Sequence, residues 1–184
     1  MGMWLLVVGV LLWSLPHMFK RLAPEARARM GDGARGVVAV SVVASIVLMT
    51  LGYKWAEFHR LYDPPLWGGH LNNLLVLIGF YVFGINMAKG ALSQKIRHPM
   101  LTGVAIWALA HLLVRGDLAS VILFGGLALW AVAAMLLINA REPGWAPAPP
   151  KGGFKRDLVA VPIVLVTYAV VGWIHGWIGP WPFG

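Results

Sequence analysis

The feature that most limits what this chain can become is a set of six long apolar runs, at about residues 3–19, 36–53, 70–88, 99–114, 118–140 and 158–178. A helix rises about 1.5 Å per residue, so roughly 20 apolar residues cross a hydrocarbon core about 30 Å thick. Every run except the fourth has that reach. The runs are continuous rather than alternating, and the segments between them lack regular hairpin turns, which argues against a transmembrane barrel. The expected fold is an all-α integral membrane bundle of six helices, a single domain over residues 1–184. Composition agrees: 59% of the residues are hydrophobic and 12% charged, whereas soluble domains carry about a quarter charged residues.

The net charge of +8 would suggest nucleic acid if it formed a patch on an aqueous face, but the basic residues are divided among the loops. Nucleic acid is therefore not an expected partner. Lys20, Arg21, Arg27, Arg29, Arg35, Lys89, Lys95, Arg97, Arg141, Lys151, Lys155 and Arg156 fall on one side of the six runs, and only Lys54, Arg60 and Arg115 on the other. Short cytoplasmic loops keep the excess of Lys and Arg, so both termini are expected to face outward from a bacterial inner membrane. The N-terminal run lacks a basic leader and a small-residue cleavage site and reads as an uncleaved first span. Trp4, Trp55, Trp67, Trp173, Trp177 and Trp181 cluster at the expected outer boundaries, where an aromatic belt would sit. The proline-rich stretch at 142–153 reads as a linker. No internal repeat stands out.

With no cysteine, disulfides, thiolate ligation and iron–sulfur clusters are excluded, and any metal must be held by His, carboxylate or Met. Polar groups inside spans are costly, which directs attention to the six histidines. His111 lies within the fourth run, where a neutral imidazole needs a hydrogen-bond partner or a metal; a bond to a carbonyl or Asn is the simpler reading. His17 follows Pro16 near the inner end of the first span. His98 stands in Arg97-His98-Pro99, where Pro99 suits the first turn of a helix. His70 and His175 mark outer boundaries, and His59 lies in a loop. Asn86, Asn139 and Thr167 read as interhelical hydrogen-bonding residues, Asp63-Pro64-Pro65 as a turn, and Glu142 and Asp157 as solvated loop charges. No P-loop, dinucleotide fingerprint, nucleophile elbow or HExxH motif is present.

The run Ile96-Arg97-His98-Pro99-Met100-Leu101-Thr102-Gly103, then Trp107-Ala108-Leu109-Ala110-His111-Leu112-Leu113, Gly116-Asp117-Leu118-Ala119-Ser120 and Phe124-Gly125-Gly126-Leu127, resembles the NnrU family of bacterial membrane proteins. His17 in the first span, Arg29-Met30-Gly31 and Gly52-Tyr53 extend the resemblance over nearly the whole chain. That family is associated with denitrification, through nitric oxide and nitrite reductases. It is related to zeta-carotene isomerase, a membrane enzyme that uses haem b to turn a cis double bond of a carotenoid trans. The resemblance implies haem b with iron ligands at His17 and His111. Ala108 stands where the isomerase has a cysteine, so thiolate ligation is impossible here.

His111 lies thirteen residues beyond His98, about 20 Å along a helix, which places His17 and His111 at different depths. His17 with His98 is therefore a depth-matched second pair, and His111 with His70 or His175 a third. Two other functions compete with a haem protein that accepts a lipophilic molecule. One is a non-enzymatic assembly or regulatory factor for a respiratory membrane enzyme. The other, more remote, is an S-adenosylmethionine-dependent membrane methyltransferase, from the likeness of Arg97-His98-Pro99 with Gly103 to the isoprenylcysteine carboxyl methyltransferases. There Leu101 replaces the usual aromatic residue, and Glu142 alone represents the acidic pair.

Overall fold

The computed structural model describes residues 1–147 and 149–183. Among the described residues seven helices longer than one turn form: α1 (Gly2–Leu22), α2 (Pro24–Arg29), α3 (Gly33–Trp55), α4 (Gly68–Ala88), α5 (Pro99–Leu112), α6 (Leu118–Arg141) and α7 (Gly153–Ile178). Apart from one bridge between Arg60 and Asp117, the described residues pair in no strand. Five helices, α1, α3, α4, α6 and α7, are long and apolar enough to cross a membrane. The fourth expected span is α5, whose 14 residues reach only about 21 Å. A multi-pass membrane protein follows from the five long helices alone.

The chain divides into two compact units, Met1–Pro64 with Arg115–Pro143, and Pro65–Val114 with Gly144–Gly184. In the first unit α1 pairs with α3 and also touches α6. Small residues set how closely these helices approach, since in lipid association rests on van der Waals packing rather than on hydrophobic exclusion. At Gly52 of α3 a methyl group would overlap the backbone nitrogen of Leu6 on α1, and one turn away, at the same end of the pair, Gly2 faces Trp55 in the same way. α6 is not uniformly α-helical. Val121–Gly125 is wound as a π-helix, an insertion that widens one turn and is frequent at functional sites.

The start of α6 is fixed by Asp117, whose carboxylate accepts from Ser120 N at 2.9 Å and from Ser120 Oγ at 2.7 Å; Ser120 Oγ also meets Tyr53 OH at 2.7 Å. This is an N-cap that satisfies a helix-end donor. The same loop is tied down by Leu61 N and Leu118 N, which donate to the carbonyls of Gly116 and His59. Tyr62 donates its hydroxyl to Arg115 O at 2.7 Å, and burial, with the Asp117 charge adding to it, holds the phenol above its ordinary pKa.

In the second unit α4 packs on α5 and on α7. α5 begins at Pro99, with His98 as its N-cap residue, and a Cβ at Gly103 would meet Gly79 O at 2.6 Å. Pro99 and Gly103 thus have structural duties, starting the helix and seating it on α4. α7 begins five residues earlier than the expected 158. That difference corrects the reading of Asp157 as a solvated charge: it lies in the first turns of α7 and is 1% exposed. Its Oδ2 accepts from Leu92 N at 3.2 Å, and Tyr81 donates to its backbone carbonyl at 3.2 Å. The turn at 90–92 closes so tightly over the carboxylate that any side chain at Gly90 would overlap it.

Three further polar expectations can be compared with the contacts formed. Asn86 of α4 reaches Met100 Sδ on α5 at 3.5 Å, an interhelical contact as expected, whereas Thr167 bonds back to Ile163 O at 2.8 Å within its own helix. Glu142, read as a solvated charge, is half-exposed and pairs with Arg21 at 3.0 Å.

Candidate functional site

Each unit carries one histidine held by the same local device. In α1 His17 Nδ1 lies 2.6 Å from Trp13 O, and in α5 His111 Nδ1 lies 2.8 Å from Trp107 O. A carbonyl only accepts, so both Nδ1 atoms carry the proton and both lone pairs sit on Nε2. This is the tautomer in which metal-bound histidines are usually fixed, with a carbonyl orienting the ring and raising its basicity. Pro16 precedes His17 inside α1 and has no N–H, so the Leu12 carbonyl lacks its helical donor.

The two devices share a sequence, Trp13-Ser14-Leu15-Pro16-His17 and Trp107-Ala108-Leu109-Ala110-His111. Tryptophan and histidine four apart lie on one helix face, stacked one turn above the other. Their ring centroids are 4.5 Å apart in the first pair and 4.9 Å in the second. The small residue after each tryptophan is buried, while Leu15 and Leu109 are 54% and 55% exposed. Each helix therefore turns its Trp–His face inward and its leucine outward. The spacing W-x-L-x-H was there to be read in the sequence; run lengths and depth do not reveal it.

Around His17 the first unit adds three more groups. Trp130 of α6, 7% exposed, sets its ring edge-on to His17 at 5.2 Å and to Trp13 at 5.5 Å. Arg21, one turn below His17 on α1, pairs with Glu142 at the end of α6. Trp13 Nε1, Trp130 Nε1 and Arg21 Nε are buried with no acceptor among the described residues. Leaving such donors unpaired costs about 1–3 kcal/mol each, so an acceptor brought to them would be stabilising. Trp130 and Arg21 did not emerge from the sequence, because nothing in it says which helix faces α1.

In the second unit His111 occupies the last turn of α5, next to Trp107, which closes an apolar groove of about 270 Å³ lined by Gly79, Phe80, Phe83, Gly103 and Val104. His98 caps the opposite end of that helix, thirteen residues and about 20 Å away, so the two cannot share a ligand within this unit. Gly68 abuts Leu113, and His70 thus lies at the same end of the α4–α5 pair as His111, exposed to solvent or headgroups. His175 donates from Nδ1 to Pro180 O at 2.9 Å and belongs to the C-terminal turn. His59 is exposed and lies 3.5 Å from Glu57. Among the described residues no three His, Asp or Glu side chains gather as a metal cluster.

The tryptophans divide by role. Trp4, Trp55, Trp67, Trp173, Trp177 and Trp181 are all exposed, as a belt requires, while Trp13, Trp107 and Trp130 are drawn inward to the histidines.

No curated protein and no solved structure matches the chain. A family model does, described as NnrU protein, and it runs over residues 5–182, through both units. The chain therefore belongs to the NnrU family, as a membrane protein of apolar helices that carries one oriented Trp–His pair in each of its units.

Proposed function

We propose that this protein binds haem b in the bacterial inner membrane, with His17 and His111 as the iron ligands. The observation that carries this reading is the repeated hydrogen bond from Nδ1 to a tryptophan carbonyl, which orients each ring and puts its lone pair on Nε2. The donor set fits the group. Imidazole is a haem ligand, there is no competing thiolate, and a haem carboxylate is the kind of acceptor that Trp13 Nε1, Trp130 Nε1 and Arg21 Nε lack. When bound, haem supplies redox and Lewis-acid iron chemistry.

The protein's own residues would orient the rings through Trp13 and Trp107, hold the carboxylates through Arg21 and the indoles, and exclude water with the surrounding apolar side chains. On this reading the reaction is isomerase-like, acting on a lipophilic molecule from within the bilayer, or the protein serves the respiratory membrane enzymes of denitrification. The purified protein, expressed with sufficient haem and kept in mild detergent, is expected to show a Soret band and sharpened visible bands on reduction. A colourless protein that co-purifies with a respiratory reductase would overturn the haem reading in favour of an assembly role.

The same proposal orients the chain with six spans and both termini outward, because Lys20, Arg21, Arg27, Arg29, Arg35 and Arg141 gather at one end of the first unit and Lys89, Lys95, Arg97, Lys151, Lys155 and Arg156 at one end of the second. Reporter fusions at each terminus are expected to read outside at both. One terminus inside would mean that α5 does not cross.

A further inference from the structure

The second unit holds a second groove, between the end of α4 and the start of α7, of about 470 Å³ and walled by Gly84, Met87, Val159, Ala160, Ile163 and Val164. Its walls are apolar, but one end is not. Arg156 closes that end, reaching Ala88 O with a single bond at 3.4 Å. Lys89, in the left-handed conformation that ends α4, sits beside it, and Lys151 N donates to Lys89 O at 2.9 Å, which brings the segment before α7 to the same place.

The charge here is one-sided. Between residues 65–114 and 144–184 the sequence has six Lys and Arg and a single acid, Asp157. That acid is 1% exposed and engaged with Leu92 N, so within this unit no exposed carboxylate side chain stands beside the cations at the mouth of the groove. Sorting of basic residues to one side of the membrane accounts for their number. It does not account for an apolar groove opening beneath them.

We propose that this groove binds an anionic phospholipid, its phosphodiester against Arg156 with Lys89 and Lys155, and an acyl chain lying along Ala160, Ile163 and Val164. The two halves of the site select this occupant together. A free phosphate would use the cations and leave the apolar groove unfilled; a zwitterionic lipid would fill the groove but bring its own cation against Arg156. Basic pockets between helices at a membrane surface recognise anionic headgroups in this way. Gly84 faces Val164 across the groove: a Cβ there would lie in ordinary contact with it at 3.4 Å, and a longer side chain would reach into the groove.

The test is native mass spectrometry of the full chain in neutral detergent, titrated separately with phosphatidylglycerol, phosphatidylcholine and inorganic phosphate. One phosphatidylglycerol per chain is expected to be retained preferentially. Arg156→Gln, at an exposed position, is expected to weaken it about fivefold, and adding Lys89→Gln and Lys155→Gln to weaken it further by a similar factor each. Gly84→Leu is expected to abolish retention with every cation in place. Equal retention of phosphatidylcholine, or unchanged retention in Arg156→Gln, would overturn the proposal. Binding of inorganic phosphate as tight as that of the lipid would overturn the acyl part of it.

Discussion

Two alanine substitutions in the same helix are expected to act in opposite directions: Gly52→Ala to destabilise the first unit strongly and Gly36→Ala to stabilise it. Both glycines lie in α3. A methyl group at Gly52 would overlap the Leu6 nitrogen and lie 2.8 Å from its Cα, and those are backbone atoms that a rotamer change cannot move. The helices must separate along the whole pair. Overpacking of this kind costs about 1–3 kcal/mol and more where the obstacle is backbone; about 3 kcal/mol is expected here. At Gly36 nothing lies within 4 Å of the added Cβ, so only the helix propensity changes, in alanine's favour by about 0.8–1 kcal/mol. Thermal or denaturant unfolding in detergent measures both, and equal effects would contradict the close approach of α1 and α3.

Asp157→Ala is expected to destabilise the second unit by about 2–3 kcal/mol, because it leaves Leu92 N–H buried without an acceptor and opens a void under the turn at 90–92. Asp157→Asn retains an oxygen for Leu92 and removes a charge from an apolar site. It is expected to cost less than about 1 kcal/mol on the same grounds. If the two variants unfolded alike, the carboxylate would be holding the fold through its charge rather than as a hydrogen-bond acceptor.

Asp157 also shows where sequence reasoning reached its end. Apolar run length locates a span well wherever lipid is the solvent, and α1, α3, α4 and α6 begin and end within about three residues of the expected limits. It fails where a helix continues beyond the hydrocarbon. Lys155, Arg156 and Asp157 look like loop by composition, yet they are helical and one of them is buried. The same blindness hid α2, six residues with Glu25, Arg27 and Arg29 inside a basic loop. Hydropathy does not register the π-helical turn at Val121–Gly125 either, since its residues are apolar in either winding.

The site was legible in part. His17 and His111 stand out as imidazoles in or near apolar runs, but their orienting partner is a backbone carbonyl one turn back, and backbone leaves no compositional trace. Trp130 and Arg21 depend on α6 lying beside α1, which is tertiary information. Arg97-His98-Pro99 with Gly103 was conspicuous, yet Pro99 and Gly103 are accounted for by starting α5 and seating it on α4.

The central claim is that the Nε2 atoms of His17 and His111 are iron ligands, and the most direct measurement is the absorption spectrum of His17→Ala, His111→Ala and His98→Ala purified alongside the parent protein, oxidised and reduced. The account predicts that the haem bands are lost or shifted in the first two and unchanged in the third. Bands that survive intact in both His17→Ala and His111→Ala, or that vanish only in His98→Ala, would contradict it.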